Sequence, residues 1–398
     1  MATLTSLPLH LVADILAMLE NVQLLPDVLI SHRIFYNAYL DSPSLIVDML
    51  RNQVPEPLLP LAIASYTSQK SFRDARNLDP IQFMSEHYDD PLKAFGGRLH
   101  LSLDSALYIS RLQDALVRLR DDFCVCALHK LHDVSREFPM ADDLSRLSDG
   151  EFYRISRALY RFHIYGNLFF DHEDAEKYDE THKAVFFARH SPWVNEQLAC
   201  VVDFLETRLT GVMLSLLSST PACRDVVING FHWGGNLTEW LTSRSQVFEE
   251  QRCLSLGLPG LDNLLQARSC ETWQACLDTA SNLCETTLEA DLFAFNRGQK
   301  PPPRAEAERS LVWRVEEMDQ LAQDVDADDA TDEHPRKMWS KIHFDSVHER
   351  FRFGQQTFAP MRFIYGLRSV GYVMWDGERM EAEASKATIA RAFRGEPV

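Results

Sequence analysis

Residues 7–40 read LPLHLVADILAMLENVQLLPDVLISHRIFYNAYL, and the fold is decided there. Leu11, Val12, Ile15, Leu16 and Leu19 recur at i, i+1, i+4, i+5 and i+8, which is one face of a helix. Pro8 suits a first helical position, where its missing N–H would be unpaired anyway. Pro26 opens a second, shorter helix in the same way, and Arg33 to Tyr39 reads as a third. Helices of two or three turns are marginal alone, because nucleation is unfavourable. Yet Leu, Ile, Val and Phe supply more apolar surface here than three such helices bury among themselves. The stretch predicts a small helical module, residues 1–40, that something else must cover.

Outward from this module the chain continues to 398 residues, beyond the size at which one core usually keeps growing. A hydrophobic fraction of 45% with 10% aromatics is that of a folded chain. Forty basic against fifty-eight acidic residues give a net charge of −18, a field that repels phosphate backbones and anionic membrane surfaces. Neither nucleic acid nor membrane is an expected partner. Cysteines at 124, 126, 200, 223, 253, 270, 276 and 284 lie within helical patterns, which suits a reducing compartment. The N-terminus lacks a basic n-region, and its apolar run is interrupted by His10, Asp14 and Glu20, so no signal peptide is expected. The most apolar later window, Leu198 to Leu217, contains Asp203, Glu206 and Arg208 and does not read as a membrane span. The expected location is cytoplasm or nucleus.

Asp41-Ser42-Pro43-Ser44 reads as a turn before a helix reaching about Arg51. Val54-Pro55-Glu56-Pro57 breaks that helix, and another apolar helix follows. Gly96-Gly97 marks a loop, and helical spacing runs from Leu101 to about Glu137. Ser148-Asp149-Gly150-Glu151 is a capping box. The helix it opens, to about Phe169, is apolar nearly all round apart from Arg154, Arg157 and Arg161, so it is expected inside a bundle. Pro192-Trp193 starts a long helix through about Leu217. Helical patterns resume at 236–253 and 262–296. Gly298-Gln299-Lys300-Pro301-Pro302-Pro303 then breaks the order. From Glu316 to Glu333 there are nine acidic residues and no lysine or arginine, the composition of a flexible segment. Order returns at Met338-Trp339, and Gly371-Tyr372-Val373-Met374-Trp375-Asp376 reads as an anchor on the main body. The expected organisation is a module at 1–40, a helical domain at 41–297, a Pro-rich and acidic linker at 298–337, and a packed C-terminal segment at 338–398. The fold class is mainly α.

Leu7-Pro8, Ile15-Leu16-x-x-Leu19, Leu24-Leu25, Val28-Leu29-x-Ser31, Arg33 and Phe35-Tyr36 together resemble the F-box, a helical module that docks proteins onto the Skp-type adaptor of a cullin-RING ubiquitin ligase. His10 departs from the pattern, which usually has an acidic residue two after the proline. Arg157 to Phe162, Pro192-Trp193 with Glu196, and Gly371-Tyr372-x-x-Trp375-Asp376 are similar to segments of a large group of fungal F-box-like proteins. Val194 departs from that group, which often has an acidic residue there. The resemblance implies a substrate receptor. Leu7, Pro8, Leu11, Ile15, Leu16, Leu19, Leu25, Val28, Leu29 and Phe35 would contact the adaptor and, through it, the cullin scaffold. The body would hold a target protein that the resemblance does not specify.

Chemistry-bearing clusters are sparse. Cys124-x-Cys126-x-x-His129-x-x-His132 has metal-ligand residue types, but on a continuous helix Cys124 points away from Cys126, His129 and Asp133, and a zinc ion needs converging ligands. Asp171-His172-Glu173-Asp174 with His182 reads as a solvated loop rather than acid–base machinery. No Walker A, Gly-x-Gly-x-x-Gly, His-Glu-x-x-His or Gly-x-Ser-x-Gly motif is present. No catalytic residue, metal or cofactor is expected. Arg154, Arg157 and Arg161 form a stripe suited to an acidic peptide or phosphate, with 316–333 as an intramolecular candidate and local pairing as the alternative. Trp193, Trp233, Trp240 and Trp375 are expected in the core. The rival to a ligase subunit is a helical scaffold whose opening helices fold onto its own body. A metal-dependent enzyme using the 124–133 or 171–182 clusters is a weaker third reading.

Overall fold

The computed structural model describes residues 7–88, 101–132, 147–170, 180–219, 251–278, 333–342 and 366–393. Among them all regular structure is helical and there is no strand. The chain divides into two compact units, Met1–Arg118 and Leu119–Val398.

The first unit begins with α1 (Leu9–Ala17), a short 3-10 turn (Val22–Leu24), α2 (Leu25–Ser31) and α3 (Arg33–Asp41). Pro8 stands one residue outside α1, with ψ of 145°, rather than at its first position. Its carbonyl accepts from Leu11 N and Val12 N, at 3.1 and 3.2 Å, so the proline caps the helix it was expected to enter. Pro26 does sit in the first turn of α2. His32 is extended and caps α3 through its ring, Nδ1 accepting from Ile34 N. Then come α4 (Leu45–Gln53), α5 (Leu59–Thr67), α6 (Lys70–Asp74), α7 (Pro80–Phe83) with a π-turn at Met84–Tyr88, and the start of α8 (Leu103–His132). The break expected at Val54-Pro55 is present, with Val54 extended. Helix α1 packs on α3 and α4, and α2 packs on α3.

The second unit contains the rest of α8, α9 (Asp149–Phe169), α10 (Glu180–Phe187), α11 (Pro192–Ser219), α12 (Gly257–Leu265), α13 (Cys270–Leu277), α14 (Gly377–Glu381) and α15 (Glu383–Phe393). Helix α9 is central as expected: it packs on α11 and α12, and most of its circumference is buried. Both halves of its capping box form, Ser148 Oγ accepting from Glu151 N and Glu151 accepting from Ser148 N. Around its C-terminal half, Phe162, Tyr165, Phe169, Phe170, Phe186 and Phe187 form one ring cluster, with Tyr165 stacked on Phe187 at 5.6 Å. Of the helical pattern expected over 262–296, the described part is broken once: α12 ends at Leu265, and α13 starts where Ser269 Oγ accepts from Thr272 N, while 279–296 lie outside the described residues. Helical structure at 334–342 begins ahead of Met338, with Trp339 buried. The 316–332 acidic residues, Trp233, Trp240 and Gly96-Gly97 lie outside the described residues.

Candidate docking surface and the buried arginine row

The ten residues assigned to docking separate into two sets. Leu16, Leu25 and Leu29 are buried inside the first unit, along with Val12, Ala13, Val22 and Ala38. The inward face of α1 is therefore Val12, Ala13 and Leu16, rotated from the stripe expected at 11, 12, 15, 16 and 19. Leu11 and Ile15 are 41% and 45% exposed, one turn apart on the outer side of α1. Pro8 is exposed too, while Leu7, Leu19, Val28 and Phe35 are half-buried. Met18 continues the outer stripe and is 80% exposed; on α2 Ile30 is 85% exposed, and Leu24, Tyr36 and Leu40 also stand in solvent.

Among the described residues, eight large hydrophobic side chains are exposed, and all but Leu214 fall between Leu11 and Leu40. Single exposed apolar residues need no explanation, but their concentration on one short module makes it the candidate docking surface. Met18, Leu24, Ile30, Tyr36 and Leu40 were not among the ten. Leu11, Ile15 and Met18, at i, i+4 and i+7, and Tyr36 with Leu40, at i and i+4, carry the signal, but a helix with apolar residues on two sides does not say which side faces inward.

The arginine row in the second unit is not a surface stripe. Arg154, Arg157 and Arg161 are all buried. Arg154 donates from Nε to Met374 O at 2.8 Å and pairs with the Asp376 carboxylate. Arg157 donates to Gln197 Oε1 at 2.8 Å, and Arg161 donates to Val194 O at 2.9 Å and Asn195 Oδ1 at 2.7 Å. The expected alternative, local pairs to nearby carboxylates, does not describe the row: of these acceptors only Asp376 is a carboxylate, and all are distant in sequence. Burial explains why: an arginine inside a bundle must give its fork of N–H groups to acceptors, and neighbouring backbone supplies them.

The segment expected as an anchor holds the other ends of this network. Tyr372, Val373, Met374 and Trp375 are buried, and Trp375 stacks on Phe123 at 6.2 Å while its indole N–H donates to Val370 O. Gln197 Nε2 donates to Val373 O at 3.2 Å. Glu151, besides closing the capping box, accepts from Asp376 N at 3.0 Å and from both ends of the Arg379 fork, at 2.8 and 2.9 Å. Deeper in, Arg368 forks onto Glu196 at 2.7 and 3.1 Å and faces Asp203 at 3.6 Å. Burial, and next the Glu196 carboxylate, push the Cys200 thiol and the Tyr372 phenol well up. Both stay protonated, as structural rather than reactive groups. Trp193 is buried as well, as expected.

Of the two metal-like clusters, the residues 124–132 of the first lie on α8. Burial pushes the Cys124 thiol up to about 12. Cys126 is also raised, by burial and by Asp122, to which its thiol donates at 3.8 Å. A cysteine ligates zinc as its thiolate. Among the described residues no group of three or more His, Cys, Asp or Glu is gathered to hold an ion. Asp133, residues 171–179 and the His182 side chain lie outside the described residues. Among the described residues no helix is long and apolar enough to cross a membrane. Compared with known proteins, the chain matches no family model, no curated protein and no solved structure.

Proposed function

We propose that this chain is a non-catalytic binding subunit whose N-terminal module docks the Skp-type adaptor of a cullin-RING ubiquitin ligase, while its helical body holds a target protein. The resemblance of residues 7–36 to the F-box motivates the reading. The observation that carries it is the concentration of exposed apolar side chains between Leu11 and Leu40. Fully burying one such side chain is worth roughly 1.5–3 kcal/mol. Several together offset a large part of the roughly 4–15 kcal/mol of lost freedom that association entails. The chain would promote ubiquitin transfer by raising the effective concentration of target beside the charged conjugating enzyme, leaving covalent chemistry to its partners.

One observation favours the rival scaffold reading at particular positions. Leu16, Leu25 and Leu29 are sealed by the unit's own helices, so they support the module rather than touch a partner. The docking set is accordingly Leu11, Ile15, Met18, Leu24, Ile30, Tyr36 and Leu40. Full-length chain incubated with purified Skp-type adaptor should retain it, and Leu11→Glu/Ile15→Glu should not, because two carboxylates would be desolvated in the contact. A wild-type chain that retains no adaptor at micromolar concentration contradicts the proposal.

A further inference from the structure

The turn between α1 and α2 is gripped by side chains from two other helices. Asn52 Nδ2 donates to Ala17 O at 3.0 Å, and Gln53 Oε1 accepts from Val22 N at 3.2 Å. Gln53 Nε2 and Gln23 Nε2 both donate to Ser110 Oγ, at 3.1 and 3.2 Å, and that hydroxyl donates to Asn21 Oδ1 at 2.9 Å. Gln23 Nε2 also donates to Asp114 Oδ2 at 2.7 Å, and Asn21 Oδ1 accepts from Gln23 N at 2.7 Å. Ser110 is fully buried and uses its whole capacity, one proton given and two accepted. Gathered on this one buried hydroxyl, the half-buried amides of Asn21, Gln23 and Gln53 favour one arrangement, because another would leave Ser110 unpaired.

What the network fixes is odd for a turn that merely reverses the chain. Only Val22 is buried; Met18 and Leu24, at the two ends, are held out in solvent. Folding either inward would gain apolar burial, yet the clamp keeps both outside and beside Leu11 and Ile15 in sequence. We infer that Asn52, Gln53 and Ser110 are positioning residues that preset the turn at 18–24, so that Met18 and Leu24 meet the docked adaptor without being ordered by it. This rests on the docking reading above. Presetting raises affinity by sparing the ordering entropy that a loose turn would lose on binding. If loosening leaves about one molecule in ten competent, apparent Kd rises about ten-fold.

The test uses full-length chain and purified Skp-type adaptor, with amide exchange at 18–24 as the second readout. Met18→Ser should weaken binding without altering exchange. Gln53→Ala should raise exchange at 18–24 while α3 and the rest of α4 stay protected, and should weaken binding about ten-fold; adaptor in excess should restore protection of the turn. Gln53→Glu keeps an acceptor for Val22 N and should fall between. A wild-type chain that binds adaptor while the Met18 and Gln53 variants bind equally well overturns the positioning role and leaves docking intact. Exchange at 18–24 unchanged in Gln53→Ala also overturns it. A wild-type chain that binds no adaptor overturns both.

Discussion

Replacing His163 with glutamine should remove a large part of the acid sensitivity of this protein. His163 lies buried on α9, and its Nδ1 accepts the Leu258 N–H at 3.2 Å, which places the ring proton on Nε2 and couples α9 to the start of α12. Burial pulls its pKa from 6.5 down to about 4. Between those values the unfolded chain binds a proton that the native chain refuses, so stability is full above about 6.5 and falls as pH drops toward about 4. At 1.36 kcal/mol per unit, the loss between about pH 7 and about pH 4.5 amounts to roughly 2.5 kcal/mol. A protonated Nδ1 would also face Leu258 N–H as a second donor. Glutamine offers Leu258 an acceptor oxygen and does not titrate. Urea unfolding of wild type and His163→Gln across this range should show the stability gap shrinking, or reversing in favour of the variant, by about 2.5 kcal/mol on acidification. A gap that stays constant with pH refutes the claim that this imidazole is held neutral.

Other consequences follow from the same contacts. Gly257 has φ of 66°, and a Cβ there would stand 2.7 Å from His163 Cε1 and Nδ1; Gly257→Ala should lower stability by about 2–4 kcal/mol, read by denaturant unfolding, because backbone strain adds to a clash with a buried ring. Glu151→Gln leaves the largely buried Arg379 fork without its charge partner and should destabilise by roughly 3 kcal/mol, with proteolysis appearing first at 366–381. Ser110→Ala deprives Gln23, Gln53 and Asn21 of a shared partner and should destabilise by about 1–3 kcal/mol, with the loss read as faster exchange at 18–24.

Local signals in the sequence were strong where a side chain acts on its own backbone. Pro26, the Ser148–Glu151 box, the Val54-Pro55 break and the Pro192 start all read correctly, since each satisfies or denies an amide within a few residues. Facing directions were harder. Leu11 and Leu16 are both leucines on one short helix, yet α3 and α4 cover only Leu16, and that choice is made by chain far along the sequence. The interior place of the arginine helix is legible from its apolar circumference, but the partners of its arginines are not: Arg154 donates to a carbonyl more than two hundred positions away, which no periodicity announces. The clamp at Ser110 was likewise invisible, because a serine on an amphipathic helix has no sequence mark of the amides it will gather.

Exchange footprinting of the full-length chain, with and without purified Skp-type adaptor, tests the docking account most directly. The account predicts new protection confined to 9–41, strongest around Leu11, Ile15, Met18 and Tyr36, with α9 and 366–381 unchanged. Protection that appears only outside 9–41, or none at saturating adaptor, would contradict it.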